Sequence, residues 1–251
     1  KLESLAYPES GLQCDDHQVN THILSKDPLV IYIEHFLSPF EADEIIRISA
    51  PHFTPSTTFT GGTEKFDPSV RNSSKAQIPR TNLVKCIESR AREFQGWPRD
   101  TFIERLWAQR YGTGGHYVHH YDWGHAGGRH SGRRDSSFMV YLNGGSEEEL
   151  QGGGTNFPRL EPPKMDDANS VEARRWCKFI ECEGEKTVAA SKVVDGVTFK
   201  PIKGNAVFWQ NFRSDGSGYE ESFHAGLPVT AGEKYGLNIW SYRHPGHRPK
   251  V

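Results

Sequence analysis

The change of texture near residue 101 limits what this chain can fold into more than any other feature. Beyond it, short runs rich in β-branched and aromatic residues alternate with Gly-rich turns, giving strand candidates at 106–111, 115–122, 137–142, 206–211 and 234–242. Successive strand residues point to opposite faces, so short strands tied by tight turns bury one face by closing on each other as an antiparallel barrel or jelly roll. Ahead of the change lie one strand candidate, 28–34, and two helices. Ser38 caps the first helix, Pro39 takes its first position, acids fill its first turns and apolar residues recur at helical spacing to Ile48. The second spans 81–94 and carries Leu83, Cys86, Ile87 and Ala91 at similar spacing. The expected class is mainly β with supporting N-terminal helices.

Residues 1–27 are polar and lack periodicity, so they read as an extended N-terminal arm. The remainder, 28–251, reads as a single unit, with 28–100 as helical support and 101–251 as the β core. Within the core, 144–200 holds Gly152-Gly153-Gly154, Pro162-Pro163 and mixed charges. It reads as a long insertion of loops decorating the core rather than a second domain. No internal repeat is present.

A chain of 251 residues can bury a sizeable core. Its 30 basic and 32 acidic residues nearly cancel, leaving a net charge of -2 and no global field that would attract a phosphate backbone. Nucleic acid is therefore not an expected partner. No apolar run approaches the roughly 18 residues of a membrane span, so membrane insertion is not expected either. The sequence starts at Lys1, and any targeting segment is expected to have been removed or trimmed. Cys14, Cys86, Cys177 and Cys182 match no zinc-ligand spacing; Cys177 and Cys182 are close enough to bridge across a turn, or are ordinary thiols. Asn72-Ser73-Ser74 is a glycosylation acceptor pattern that matters in a secretory compartment.

In Tyr117-Val118-His119-His120-Tyr121-Asp122, alternation places His120 and Asp122 on one face and His119 and Tyr121 on the other. A mononuclear iron that also holds a bidentate co-substrate and O2 needs three protein ligands on one triangular face, and two imidazoles with one carboxylate meet that need. His-x-Asp alone is more often a surface pair. His224, in a short segment at 222–229 bounded by Gly and Pro, is the candidate third ligand, and Lys234 ten residues later is placed to pair with the far carboxylate of a chelating dicarboxylate. The plainer readings are a surface strand lysine for Lys234 and a core residue for Trp240. His116, His119, His125 and His130 crowd the same region and allow a zinc reading, but no second cluster of standard spacing accompanies them. They read as loop or rim residues, one of which can meet substrate.

These segments together resemble the prolyl 4-hydroxylase family of Fe(II)- and 2-oxoglutarate-dependent oxygenases, in register from about 30 to 242. The resemblance rests on ordered motifs: Arg110-Tyr111 through Gly114 to Tyr117-x-x-His120-x-Asp122, Arg134-x-x-Ser137 leading to Tyr141-Leu142-Asn143, Gly152-Gly153-x-Thr155-x-Phe157-Pro158, Lys203-Gly204-x-Ala206-x-Phe208, and Ser222-x-His224-Ala225-Gly226-x-Pro228-Val229 closing on Lys234. It implies a double-stranded β-helix core of the jelly-roll or cupin-like kind, with N-terminal helices packed on it and a substrate loop within 28–100. It further implies iron ligands His120, Asp122 and His224, with Tyr111, Thr155 and Lys234 as 2-oxoglutarate contacts and Lys234 on the distal carboxylate. Alternation from Lys234 brings Gly236, Asn238, Trp240 and Tyr242 to the same inward face, so Trp240 is expected to wall the site. Peptide contacts carried over by position are Arg71, Ser73, Glu104, Tyr117 and Arg134.

Two departures fall where the peptide is expected. Many relatives have His where this chain has Tyr242, with His244 two residues on, and the loop usually reading Val-Arg-Thr-Ser reads Val70-Arg71-Asn72-Ser73. The segment 166–197, with Cys177 and Cys182, exceeds the compact family core. The implied activity resembles that of a procollagen-proline 4-dioxygenase: C4 hydroxylation of proline in a peptide or protein, with Fe(II), 2-oxoglutarate and O2, giving succinate and CO2, and with ascorbate as reductant. The alternatives are another amino acid or a small molecule as acceptor, or a non-enzymatic metal-binding β-barrel module. The family also suggests the endoplasmic reticulum lumen or secretory pathway.

Overall fold

Ser38 does what its position requires: its side chain accepts from Glu41 N while the Glu41 carboxylate accepts from Ser38 N, a reciprocal cap on helix α1, Pro39–Ser49. Thr81 caps helix α2, Asn82–Phe94, by accepting from Val84 N. Both helices place their apolar faces on one side of a large antiparallel sheet. Ala42, Ile45, Val84, Ile87 and Ala91 meet Ile33, Phe138, Val140, Leu237 and Ile239 in one buried cluster. The computed structural model describes residues 4–60, 63–96, 100–123, 132–146, 148–163, 170–182 and 195–247. Among these, no helix is long and apolar enough to cross a membrane.

The large sheet runs in the order Asn20–Lys26, Leu29–Glu34, Ala206–Gln210, Arg133–Tyr141, Lys234–Arg243, Trp107–Tyr111, Ser74–Gln77 and Thr54–Pro55, with Thr101–Glu104 and Leu5–Ala6 attached beside the Lys234–Arg243 strand. A smaller sheet runs Val197–Phe199, Thr155–Phe157, His224–Gly226, His116–His120, Arg71–Asn72. A second cluster fills the space between them, joining Tyr32, Tyr141, Val207 and Trp209 of the large sheet to Phe157, Val197 and Phe199 of the small one. The layers are thus helices, large sheet, small sheet, in a jelly roll that is open rather than a closed barrel. Lys234–Arg243 is central to the large sheet and buried along both faces. Its Leu237 and Ile239 face the helices, while Asn238 and Trp240 line a cavity on the other side.

The first 27 residues are not a free arm. Asn20–Lys26 pairs with Leu29–Glu34 as the edge of the large sheet, Leu5–Ala6 pairs with Thr101–Glu104, and Cys14 is bonded to Cys86 on α2. The alternation is concealed because an imidazole takes the place of an aliphatic residue: His22 accepts packing from Trp176 and Phe179 and bonds Glu34 at 2.7 Å. The 144–200 segment also does more than decorate. It contributes Thr155–Phe157 and Val197–Phe199 to the small sheet, strands of three residues that are too short to show a period. Its Val171–Trp176 helix and the Cys177–Cys182 disulfide hold Trp176, Phe179 and Ile180 in the inter-sheet cluster, so these cysteines are bridged and not ordinary thiols.

The Cys14–Cys86 bond closes a span of 72 residues and so removes considerable freedom from the unfolded chain. Replacing both cysteines by serine is expected to cost about 2–4 kcal/mol in urea unfolding. An unchanged midpoint would show that the N-terminal segment adds nothing to the cooperative unit.

Candidate metal and dicarboxylate site

His120 ends the His116–His120 strand and stands opposite His224 in the small sheet. Asp122 follows two residues beyond, and one potential ligand atom from each of the three lies within 4.8 Å of the others. His120 Nε2 is 3.8 Å from Asp122 Oδ1, and the two imidazole centroids are 4.3 Å apart. Each ring uses Nδ1 on a carbonyl two residues back, Val118 O for His120 and Ser222 O for His224, both at 2.9 Å. A carbonyl can only accept, so Nδ1 is the donor on each ring and Nε2 is the atom left for a metal beside Asp122.

The protonation states suit a cation. Burial, reinforced by the neighbouring His224, lowers His120 to about 3, so its ring is neutral at any working pH. Burial alone would raise Asp122, but His224, His120 and Arg134 outweigh it and hold the carboxylate below its ordinary value. Trp240 Nε1 donates to Asp122 Oδ2 at 3.0 Å, and Ser137, itself held by Asn211 Nδ2 at 3.0 Å, bonds the same carboxylate. These donors turn Oδ1 towards the imidazoles. Losing one of them in Trp240→Phe is expected to weaken Fe(II) or Co(II) binding by roughly 10- to 100-fold. Calorimetric titration checks this, and unchanged affinity would reduce Trp240 to a wall.

Lys234 is 2% exposed, and its ammonium donates to Gly153 O. Gly153 has φ +70, and a Cβ there would lie 3.1 Å from Lys234 Cδ, so the Gly-rich run admits both the turn and the close approach. Burial pulls Lys234 down to about 7. Among the described residues no carboxylate forms an ion pair with it. The Tyr111 and Tyr141 ring centroids lie 5.6 and 5.5 Å from Nζ. Tyr141 donates its hydroxyl to Thr155 Oγ1 at 2.9 Å, and burial keeps that phenol protonated. Thr155 stands opposite Gly226, two residues from His224, so this hydrogen bond links the ring beside Lys234 to the strand carrying a triad imidazole. A buried cation that meets no carboxylate among the described residues and lies beside two tyrosine rings fits the distal carboxylate of a dicarboxylate whose other end reaches the triad.

A cavity of about 330 Å³ opens over His120 and Asp122, walled by Arg71, Tyr117, Arg134 and Trp240. Tyr117 stacks on His120 at 3.7 Å although strict alternation would turn it to the opposite face. The reason is a register shift against the His224–Gly226 strand between Tyr117 and His120, a β-bulge that turns the side chain inward. Arg71 lies 4.7 Å over the Tyr117 ring and donates to Ser73 Oγ at 3.0 Å. Arg134 lies 3.7 Å over Trp240 and is gripped by Glu104 through bonds of 2.7 and 3.0 Å. Ser73 and Glu104 are therefore supports behind the two arginines rather than part of the cavity lining.

Tyr242 does not line this cavity. It keeps the face that alternation gives it, shared with Trp240 and Glu104, but packs farther along the sheet with Leu5 and Phe102. The position that departs from the family pattern is thus taken up by the N-terminal segment. His119 bonds Asn156 at 2.8 Å on the far face, and His116 bonds two backbone carbonyls at the rim. His125 and His130 lie outside the described residues, as do 166–169 and 183–194 of the 166–197 segment. Sequence reasoning gave no site role to Gln109 and Asn211, nor to Ser137 and Tyr141, which entered only as motif residues. All four act through hydrogen bonds to assigned residues or to one another, such as Tyr111 OH to Gln109 Oε1 at 2.6 Å.

The model of the family described as the 2OG-Fe(II) oxygenase superfamily matches residues 106–242. Among curated proteins, the chain is 29% identical over 227 residues to probable prolyl 4-hydroxylase 3 of Arabidopsis thaliana, covering 88% of this chain and 72% of that protein. It is 27% identical over 229 residues to prolyl 4-hydroxylase 5 of the same plant, covering 88% and 71%. Among solved structures, a viral collagen prolyl hydroxylase from Paramecium Bursaria Chlorella virus-1, in its 2OG complex, shares the fold with a TM-score of 0.58 at 24% identity, covering 85% of this chain and 96% of that one.

Proposed function

The chain belongs to the 2OG-Fe(II) oxygenase superfamily, and from that membership we propose that it hydroxylates C4 of proline in peptides or proteins. The observation that carries the reading is the buried Lys234 ammonium, which meets no carboxylate among the described residues and lies beside the Tyr141 ring, whose hydroxyl bonds Thr155 next to the His224 strand. A metal-binding module has no use for such an anchor. The names of the curated relatives support proline as acceptor.

In this reading His120, Asp122 and His224 hold Fe(II), and Lys234 with Tyr141 and Thr155 binds the distal carboxylate of 2-oxoglutarate, beside Tyr111. The bound metal, co-substrate and O2 supply the oxidation that converts a C–H to C–OH and releases succinate and CO2. The protein contributes placement. Trp240 and Ser137 keep Asp122 oriented, while Tyr117, stacked on His120, and Trp240, beneath Arg134, wall the cavity that would receive the acceptor. Fixing the acceptor carbon over the metal in this way replaces a chance encounter by a positioned one.

Ascorbate as reductant and residence in the endoplasmic reticulum lumen or secretory pathway belong to the same proposal. Two disulfides and an exposed Asn72 in its acceptor pattern support an oxidising compartment. The test is succinate release with proline-rich peptides, free proline and unrelated acceptors, with and without ascorbate. Hydroxyproline formed in peptides is expected. Turnover coupled solely to free proline or to a non-proline acceptor would overturn the substrate assignment.

A further inference from the structure

The cavity over His120 and Asp122 is also lined by a cation that the reaction does not use, Lys75. Lys75 belongs to the Ser74–Gln77 strand of the large sheet and pairs with Gln109 on one side and Thr54 on the other, so its backbone is fixed. Its ammonium lies 5.6 Å from the Trp107 ring centroid, and both residues line the same cavity as His120 and Asp122. The other charges on that lining are committed. Asp122 belongs to the triad, Arg134 is held by two bonds from Glu104, and Arg71 is tied to Ser73 and Tyr117.

Lys75 is held differently. Nζ donates to Thr57 Oγ1 at 2.7 Å and meets Glu64 Oε1 at 3.2 Å, and the Glu64 carboxylate also accepts from Thr57. Glu64 lies on a hairpin, Thr58–Thr60 with Thr63–Lys65, whose strands pair with each other and with no other strand among the described residues. The Glu64 side chain is 55% exposed against 25% for Lys75. A fixed, half-sheltered cation therefore faces a solvated carboxylate carried by an independent hairpin. Exposed pairs of this kind are weak, so another carboxylate in the cavity can take the place of Glu64 at little cost.

We propose that Lys75 recognises an acidic side chain next to the residue that is hydroxylated. The aliphatic stem of that side chain rests on Trp107, and Glu64 fills the subsite in its absence. This rests on the peptide reading above and deepens it by assigning an acidic flanking residue to the substrate.

The test uses peptides identical except for Glu, Gln or Lys beside the acceptor proline. Binding is measured by calorimetry and turnover by succinate release, for the full chain and for Lys75→Gln, Lys75→Glu and Glu64→Gln. The unaltered protein is expected to favour the Glu peptide over the Lys peptide by about tenfold, in KM and not in kcat. Lys75→Gln flattens the series, Lys75→Glu inverts it, and Glu64→Gln lowers KM for the Glu peptide. The same order of peptides in the unaltered protein and in Lys75→Glu would overturn the assignment. Binding that discriminates by charge without hydroxylation of any peptide would instead overturn the proline reading and leave Lys75 standing.

Discussion

Asp122→Ala is expected to abolish succinate formation and to weaken divalent-metal binding by more than about 100-fold. Asp122 is the one anion of the three-residue group, and it stays ionised because the imidazoles and Arg134 outweigh its burial. Two imidazole ligands alone, with no carboxylate, leave a divalent cation without local charge compensation. The substitution also strips Trp240 Nε1 and Ser137 of their acceptor, so the pocket loses both the ligand and the reason for its shape. Asp122→Asn separates these effects: its amide oxygen can still accept from Trp240, yet the charge is gone. Both variants are expected to fail in Co(II) titration and in turnover, and retained activity in either would place the metal elsewhere.

That this carboxylate could be found from sequence alone follows from the short range of the signals involved. His120 and Asp122 are two residues apart, and the caps at Ser38 and Thr81 are written within four residues of the bonds they make. Strand alternation also correctly separated His119, which bonds Asn156 on the far face. What the sequence did not show depends on distant partners. Alternation alone does not bring Tyr117 inward, whereas the family pattern places it at the site and a bulge turns it there. Tyr242 keeps the face of Trp240, but the N-terminal Leu5 that covers it is not legible locally. The N-terminal edge strand was hidden because His22 serves as its apolar contact against Trp176 and Phe179, residues more than 150 positions away. The roles of Tyr141 and Asn211 were hidden for a related reason, since they lie in bonds to Thr155 and Ser137 from other strands or loops.

Lys234→Met should produce a protein that is no less stable but nearly unable to use 2-oxoglutarate. Removing one partner of a buried carboxylate–ammonium pair costs roughly 2–5 kcal/mol of binding, which is about 30- to several thousand-fold in co-substrate affinity. In the unliganded protein, however, the ammonium is buried without a carboxylate, and its pKa falls from 10.5 to about 7. The unfolded chain therefore binds the proton more tightly. Below pH 7 the folded state carries the full cost of a buried charge, and stability rises with pH between about 7 and 10.5 as that proton is lost. A thioether of similar length removes the cost, so the variant's thermal midpoint at pH 6 should equal or exceed that of the unaltered protein. The same shift sets the co-substrate's pH dependence. A carboxylate favours the charged amine, so binding above pH 7 must take up a proton, and the KM for 2-oxoglutarate should climb by up to about tenfold per pH unit from 7 towards 9. In Lys234→Met that slope should vanish while KM stays high throughout. A slope that survives the substitution would mean that another group titrates, and a KM that barely moves would mean that the distal carboxylate is held elsewhere.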